Sequence, residues 1–125
     1  MLHMTMRKLS ILISLAVCLG AFGCRDRASE EDCRAACKNS VELSFWSNFE
    51  EEHNLSARRE RVKRQMKDRG ARELKAALAE EGELHETLEG CVTVCRRTPT
   101  PPEVVECQIE ASSVSQLNRC VTASR

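Results

Sequence analysis

Cys33-Arg34-Ala35-Ala36-Cys37 and Cys91-Val92-Thr93-Val94-Cys95 repeat one spacing, two cysteines four residues apart, and that spacing decides the fold. On a helix, residues four apart project from one face with Cβ atoms ~5 to 6 Å apart. A disulfide needs ~3.8 Å between Cβ atoms, so a bond within either motif is disfavoured and each pair must look outward. Antiparallel packing of the two helices joins Cys33 to Cys95 and Cys37 to Cys91, because both pairs then share one index sum. Leu74, Ala77, Glu81, Leu84, Leu88, Cys91 and Cys95 form a seam in steps of three and four, widened by Leu78, His85 and Val92. Glu81 is its one misfit, and Gly82 beside it costs roughly 1 kcal/mol of helix propensity.

The chain has 125 residues, enough for one small domain, and its 19 Lys+Arg balance 19 Asp+Glu. With three Phe, one Trp and no Tyr, side-chain burial alone is a thin source of stability, and eight cysteines supply the missing constraint. The absence of a basic excess argues against a nucleic-acid partner. Arg7 and Lys8 precede an apolar run over residues 9–23, after which Arg25, Asp26 and Arg27 follow abruptly. This is the layout of a secretory signal peptide, expected to be removed as residues 1–23, and its run is shorter than the ~18 to 20 residues that span a bilayer. Export implies an oxidising compartment, where cysteines pair.

Ala21-Phe22-Gly23-Cys24 resembles a bacterial lipobox, whose cysteine is diacylated and becomes the mature N-terminus. Gly23 and Cys24 fit that pattern, while Ala21 stands where Leu is usual; Ala21-x-Gly23 also suits an ordinary signal peptidase and soluble secretion. Cysteine arithmetic bears on the choice. Cys18 leaves with the signal, and lipidation of Cys24 leaves an even six: Cys33, Cys37, Cys91, Cys95, Cys107 and Cys120. The resemblance is to a small cysteine-rich bacterial lipoprotein, and it implies attachment to a membrane through an N-terminal lipid, at the outer membrane or in the periplasm, with an envelope protein as partner. The paired motifs in turn resemble the twin CX3C helical hairpin of the small mitochondrial intermembrane-space chaperones and coiled-coil-helix proteins. Because 53 residues separate Cys37 from Cys91, that resemblance implies a hairpin and not a chaperone function.

The long insertion carries its own signals. Ser47-Asn48-Phe49-Glu50 reads as a capping box that restarts a helix after Phe45-Trp46, and Asp68-Arg69-Gly70 reads as a helix end with a left-handed glycine. A turn at Gly70 leaves 32 residues back to Cys37 but only 20 on to Cys91. The first arm is then too long, and a break over residues 46–56 is expected to absorb the excess, with helices near 29–45, 48–69 and 71–96. Thr98-Pro99-Thr100-Pro101-Pro102 stops the last of these, and Thr100-Pro-Pro-Glu103 combines a capping box with proline at the first helical position. Ser113-Val-Ser-Gln116 caps a second short helix. Cys107 and Cys120 can pair only if the chain folds back near residues 111–113. The expected architecture is therefore all-α: an N-terminal tether at 24–30, an antiparallel hairpin stapled by two disulfides with an extra helix at 31–97, and a disulfide-closed helix pair at 98–125.

Thiolates at Cys33, Cys37, Cys91 and Cys95 would offer a zinc or copper(I) site, but export favours disulfides. His53 and His85 stand among glutamates on what read as solvated helix faces, with no His-x3-His spacing. No CxxC, Gly-rich phosphate loop, GxSxG or HExxH occurs, so neither enzymatic activity nor a cofactor is expected. Residues 58–75 hold nine basic and three acidic side chains, followed by Glu80, Glu81, Glu83, Glu86 and Glu89. Folding at Gly70 lays Arg58 and Arg59 beside Gly82 and Glu81 as an acid-base zipper. The sharper reading is a basic tip in which Arg61, Lys63, Arg64 and Lys67 meet an anionic surface or partner. Trp46, with Phe45 and Phe49, is expected to plug the core where the first arm bends. The functional expectation is a non-enzymatic, exported interaction module, the alternative being a periplasmic metal-binding protein.

Overall fold

The computed structural model describes residues 28–122. The signal segment, Cys24 and most of the N-terminal tether lie outside the described residues. Five helices follow in order: α1 Glu30–Glu52, α2 Glu60–Leu78, α3 His85–Arg97, α4 Pro102–Glu110 and α5 Val114–Thr122, with a short 3-10 turn, Leu55–Ala57, between α1 and α2. The fold is all-α and stapled by three disulfides.

Ser29 starts α1 by accepting a 3.1 Å hydrogen bond from the Asp32 amide, and Glu30, Glu31 and Asp32 set negative charge against the positive end of the helix dipole. Against the first turns of α1 lies α3, antiparallel, joined by Cys33–Cys95 and Cys37–Cys91. Both bridges have Cα atoms 5.8 Å apart, and equal separations one turn apart mean that the two helices do not diverge across the motif. Cys33, Cys37, Leu88 and Val92 form the buried cluster between them, edged by Ala28 and Leu78. Two ion pairs follow the same antiparallel register, Arg34 with Glu89 and Arg96 with Glu30.

The chain reverses elsewhere than at Gly70. Helix α1 runs unbroken through Trp46 and through Ser47-Asn48-Phe49-Glu50, which therefore lie inside a helix and cap nothing. It ends at His53, whose amide donates to the Phe49 carbonyl, and Asn54 follows with φ 48°, the one left-handed non-glycine residue described. Asparagine tolerates that conformation better than most residues, and here it does the work expected of a glycine. Buried Leu55 then plugs the turn. As α2 proceeds from Lys63 and Lys67 to Glu73, its neighbours on α1 recede from Glu50 and Glu51 to Ser44, so α2 runs back over the end of α1. The excess length thus belongs to the second arm, which breaks over residues 79–84 between α2 and α3. Glu81 and Gly82, the misfits of the seam, mark that break. At Gly82 a Cβ would collide with the carbonyl oxygens of Ala76 and Ala77, so the turn closes only on a bare backbone.

Gly70 is buried in the middle of α2, with no left-handed φ. Its missing side chain is what matters: a Cβ there would come within 2.7 Å of Trp46 Cζ3 and 3.0 Å of Phe49 Cε1. The Trp46 ring meets Phe45 and Phe49 edge-on, with centroids 5.4 and 5.5 Å away, and this aromatic group fills the crossing of α1 and α2 rather than a bend in α1.

After α3 the prolines turn the chain, and α4 returns parallel to α1. Its N-cap is Pro101, with Pro102 in the first turn; Thr100 donates instead to the Thr98 carbonyl, so the expected threonine box does not form. Val104 and Val105 are buried. From α1, the Asn39 side-chain amide donates to the carbonyls of Gln108, Ile109 and Ala111 at 2.8, 3.2 and 2.8 Å, closing the exposed end of α4. Helix α5 folds back through Cys107–Cys120, started by Ser113, which accepts from the Gln116 amide, and by Gln116, which accepts from the Ser112 amide.

Gly70→Ala separates the two roles of a glycine. Helix propensity alone would raise stability by about 1 kcal/mol. Crowding the Trp46 ring costs about 1 to 3 kcal/mol, so thermal unfolding is expected at lower temperature with altered tryptophan emission. Trp46→Phe, which removes the crowded ring edge, is expected to restore part of the loss; a higher melting temperature for Gly70→Ala alone would mean that the ring swings freely aside.

Candidate interaction surface

Leu74 and Gly70 are buried and Val62, Met66 and Leu78 half-buried, so α2 spends its apolar side on the fold. At 3.6 residues per turn, Arg61, Arg64, Arg72 and Lys75 fall within roughly a quarter-turn of one another on the opposite side, with Asp68 among them. All four are exposed, and among the described residues none makes an ion pair, whereas Lys63 pairs with Glu60 at 3.3 Å and Arg69 with Glu73 at 3.0 Å. The four residues singled out by sequence are therefore split. Arg61 and Arg64 stand on the outer face, while Lys63 and Lys67 turn toward α1 and line a groove of about 440 Å³ with Glu50 and Glu51. The expected zipper of Arg58 and Arg59 against Glu81 and Gly82 does not form, because it required a turn at Gly70. Arg58 instead donates to the His53 carbonyl at 3.3 Å.

Acidic residues are spread over the molecule: Glu50, Glu51 and Glu52 are exposed at the end of α1, Glu80, Glu81 and Glu83 after α2, and the opposite end mixes glutamates with Arg34, Arg96 and Arg97. Glu103, Glu106 and Glu110 lie along one exposed side of α4, and the acidic first turn of α1 adjoins Ala28, where the described chain begins. Where α1, α2 and α3 meet, Val41, Phe45, Phe49 and Leu84 floor an apolar groove of about 380 Å³.

Every cysteine from Cys33 to Cys120 is in a disulfide, so the four motif sulfurs offer no thiolate to a metal. Among the described residues no group of three or more His, Cys, Asp or Glu is placed to hold a metal ion. His53 is half-buried, its ring centroid 4.4 Å from that of Phe49, and is not the simply solvated residue expected. No helix of the described residues is long and apolar enough to cross a membrane.

Two residues without a motif of their own hold these surfaces in register. One is Asn39, whose partners lie 69 to 72 positions away. The other is Arg34, which grips the Glu89 carboxylate with both guanidinium nitrogens, at 2.5 and 3.1 Å, from inside the first CxxxC motif. That hydrogen bond, against a smaller opposing effect of burial, holds the Glu89 carboxyl below its usual range and raises the Arg34 guanidinium.

No protein-family model, curated protein or solved structure matches the chain. What the geometry supports directly is a small structural module: a disulfide-rich helical body consistent with an oxidising, exported compartment, with one charged helix face uncommitted.

The Arg34–Glu89 pair has a defined pH signature. A carboxyl whose folded-state pKa is depressed contributes stability that is complete above its unfolded pKa, about 4.3, and is lost as pH falls through the folded value. Arg34 stays charged throughout. Glu89→Gln is therefore expected to lower stability at neutral pH and to flatten the acid limb of the stability profile; an acid limb unchanged by the substitution would remove the pair as its source.

Proposed function

We propose that the chain is a non-enzymatic, exported and lipid-anchored module that presents a rigid helical body to a partner at a bacterial envelope. One observation carries this reading. All six cysteines after Cys24 are consumed in pairs, so Cys24 is the odd one of the mature chain, and it is the residue that ends the lipobox-like Ala21-Phe22-Gly23-Cys24. In an oxidising compartment an odd cysteine is a hazard unless it is modified or paired with another chain, and diacylation consumes it. A body of about a hundred residues with a small core and three staples is suited to persist outside the cell. Contact with an envelope partner or an anionic surface then falls to surfaces that the fold does not use, Arg61, Lys63, Arg64 and Lys67 among them.

Intact mass of the protein purified from envelopes without reductant, after alkylation under denaturing conditions, tests this directly. Six unalkylated cysteines with a lipid adduct at Cys24 are expected. An alkylated Cys24 without lipid would replace the anchored protein by a soluble secreted one. Four alkylated thiols at the CxxxC motifs would overturn the scaffold and return the thiolate metal site.

A further inference from the structure

We infer that the outer face of α2 is a second membrane contact: Arg61, Arg64, Arg72 and Lys75 rest on the anionic headgroups of the bilayer that holds the lipid, so the body lies along the membrane. The inference rests on the lipid-anchor reading for its geometry and on the exposed charges for its chemistry.

Upright and flat orientations differ sharply. From Glu30 to Trp46, beside which α2 packs, α1 rises ~24 Å. A molecule standing on its N-terminal end would hold the middle of α2 about three Debye lengths away, each ~8 Å at physiological salt, where headgroup charge is largely screened. The headgroups would instead face a mixed end, with Glu30, Glu31 and Asp32 beside Arg96 and Arg97. Lying flat, the same molecule sets its basic face on the surface. Packed helix axes are ~8 to 10 Å apart and a helix with its side chains has a radius of ~5 to 6 Å, so a plane resting on the outside of α2 runs ~15 Å from the axis of α1. From Cys24 to Ala28 the chain can span up to ~14 Å. The fully extended tether thus falls just short of that plane, and the Cys24 side chain with its glyceryl group covers the difference.

The face fits headgroups and not the hydrocarbon below. Its apolar partners Gly70 and Leu74 are buried in the fold, which leaves Arg61, Arg64, Gln65, Asp68, Arg72 and Lys75 outward, without an aromatic or aliphatic wedge. Such a surface docks by charge, at about fivefold in partition per basic residue near an anionic bilayer. Guanidinium groups suit phosphate oxygens, which they can grip in pairs. Three of the four are arginines, and the row extends ~21 Å along the helix.

Trp46 is the only tryptophan of the chain and packs against α2, so it reports the distance of that helix from a surface. The lipidated protein is placed in vesicles carrying a dansyl headgroup acceptor, of phosphatidylcholine alone or with phosphatidylglycerol. Energy transfer from Trp46 is expected to be strong only with phosphatidylglycerol, to fade as salt rises toward 1 M, where the Debye length is ~3 Å, and to drop to the neutral-lipid level in Arg61→Gln, Arg64→Gln, Arg72→Gln, Lys75→Gln. Transfer that ignores lipid charge or these four substitutions overturns the flat orientation. A parallel arm uses Cys24→Ser chain without lipid, sedimented with the same vesicles: the four substitutions are expected to weaken binding by roughly 10²-fold or more. Equal sedimentation of both forms, or binding to polyglutamate with none to vesicles, overturns the headgroup contact. A mass spectrum without lipid on Cys24 defeats only the anchor, and the sedimentation arm still decides the face.

Discussion

Two disulfides one helical turn apart hold the molecule together. Cys33–Cys95 closes 62 residues and is worth roughly 4 kcal/mol in the chain-entropy account; the nested Cys37–Cys91 adds less because the same loop is already closed. Their larger effect is geometric. A single bridge lets two helices pivot, whereas two bridges of equal Cα separation fix rotation, register and crossing together. Once α1 and α3 are locked, Arg34 can reach Glu89 and Arg96 can reach Glu30. Chain length between the staples then has to be disposed of outside the locked segment, and α2 is that excess, folded over the far end of α1. The interior needs this help. Its largest fully buried side chains are Val105 and Cys33, and the aromatic group sits at one end.

What the sequence disclosed follows from which interactions are local. Cysteine spacing, helical periodicity and the Ser113–Gln116 cap depend on residues a few positions apart, so the all-α class, the pairing of the two motifs and the fold-back before α5 could be read directly. Glycine could not. A glycine marks either a backbone that must turn left-handed or a surface that must be bare, and at Gly70 the bare surface wins because Trp46 lies on it. The turn was signalled by Asn54, whose left-handed conformation no nearby residue demands. Moving the reversal from Gly70 to residues 53–59 also moved the basic segment away from the glutamates expected to neutralise it. Asn39 shows the limit from the other side: an ordinary polar residue on α1 becomes the cap of α4 only after α4 has docked.

The charge distribution follows from the same packing. Helix α2 has one apolar side, and it is consumed at the crossing with α1, so its basic residues stay outside. Lys63 and Arg69 find acidic partners on their own helix, but Arg61, Arg64, Arg72 and Lys75 are exposed and in no ion pair among the described residues. Glutamates are not lacking nearby, since Glu50, Glu51 and Glu52 end α1 and Glu80, Glu81 and Glu83 follow α2, but none of them is in an ion pair with the outer face of α2. A nearly neutral chain thereby keeps one helix face of uncompensated positive charge.

That face matters because one end is expected to be tied down. A free molecule with nearly equal numbers of both charges gains little from an anionic surface. Under the proposed anchor the comparison changes: a lipid at Cys24 would hold the N-terminal end within reach of the surface whatever its charge, leaving rotation about the tether. The contribution of that end would be common to both orientations, upright and flat, and would largely cancel between them. Contact by α2 would occur only in the flat one. Orientation would then be decided by the basic residues of a single helix face, with a strength set by lipid charge and salt rather than by anything in the core. The packing of Trp46 and Phe49 on Gly70 supplies the last requirement, since a body that flexed between α1 and α2 could place those charges on the membrane without turning the rest of the molecule.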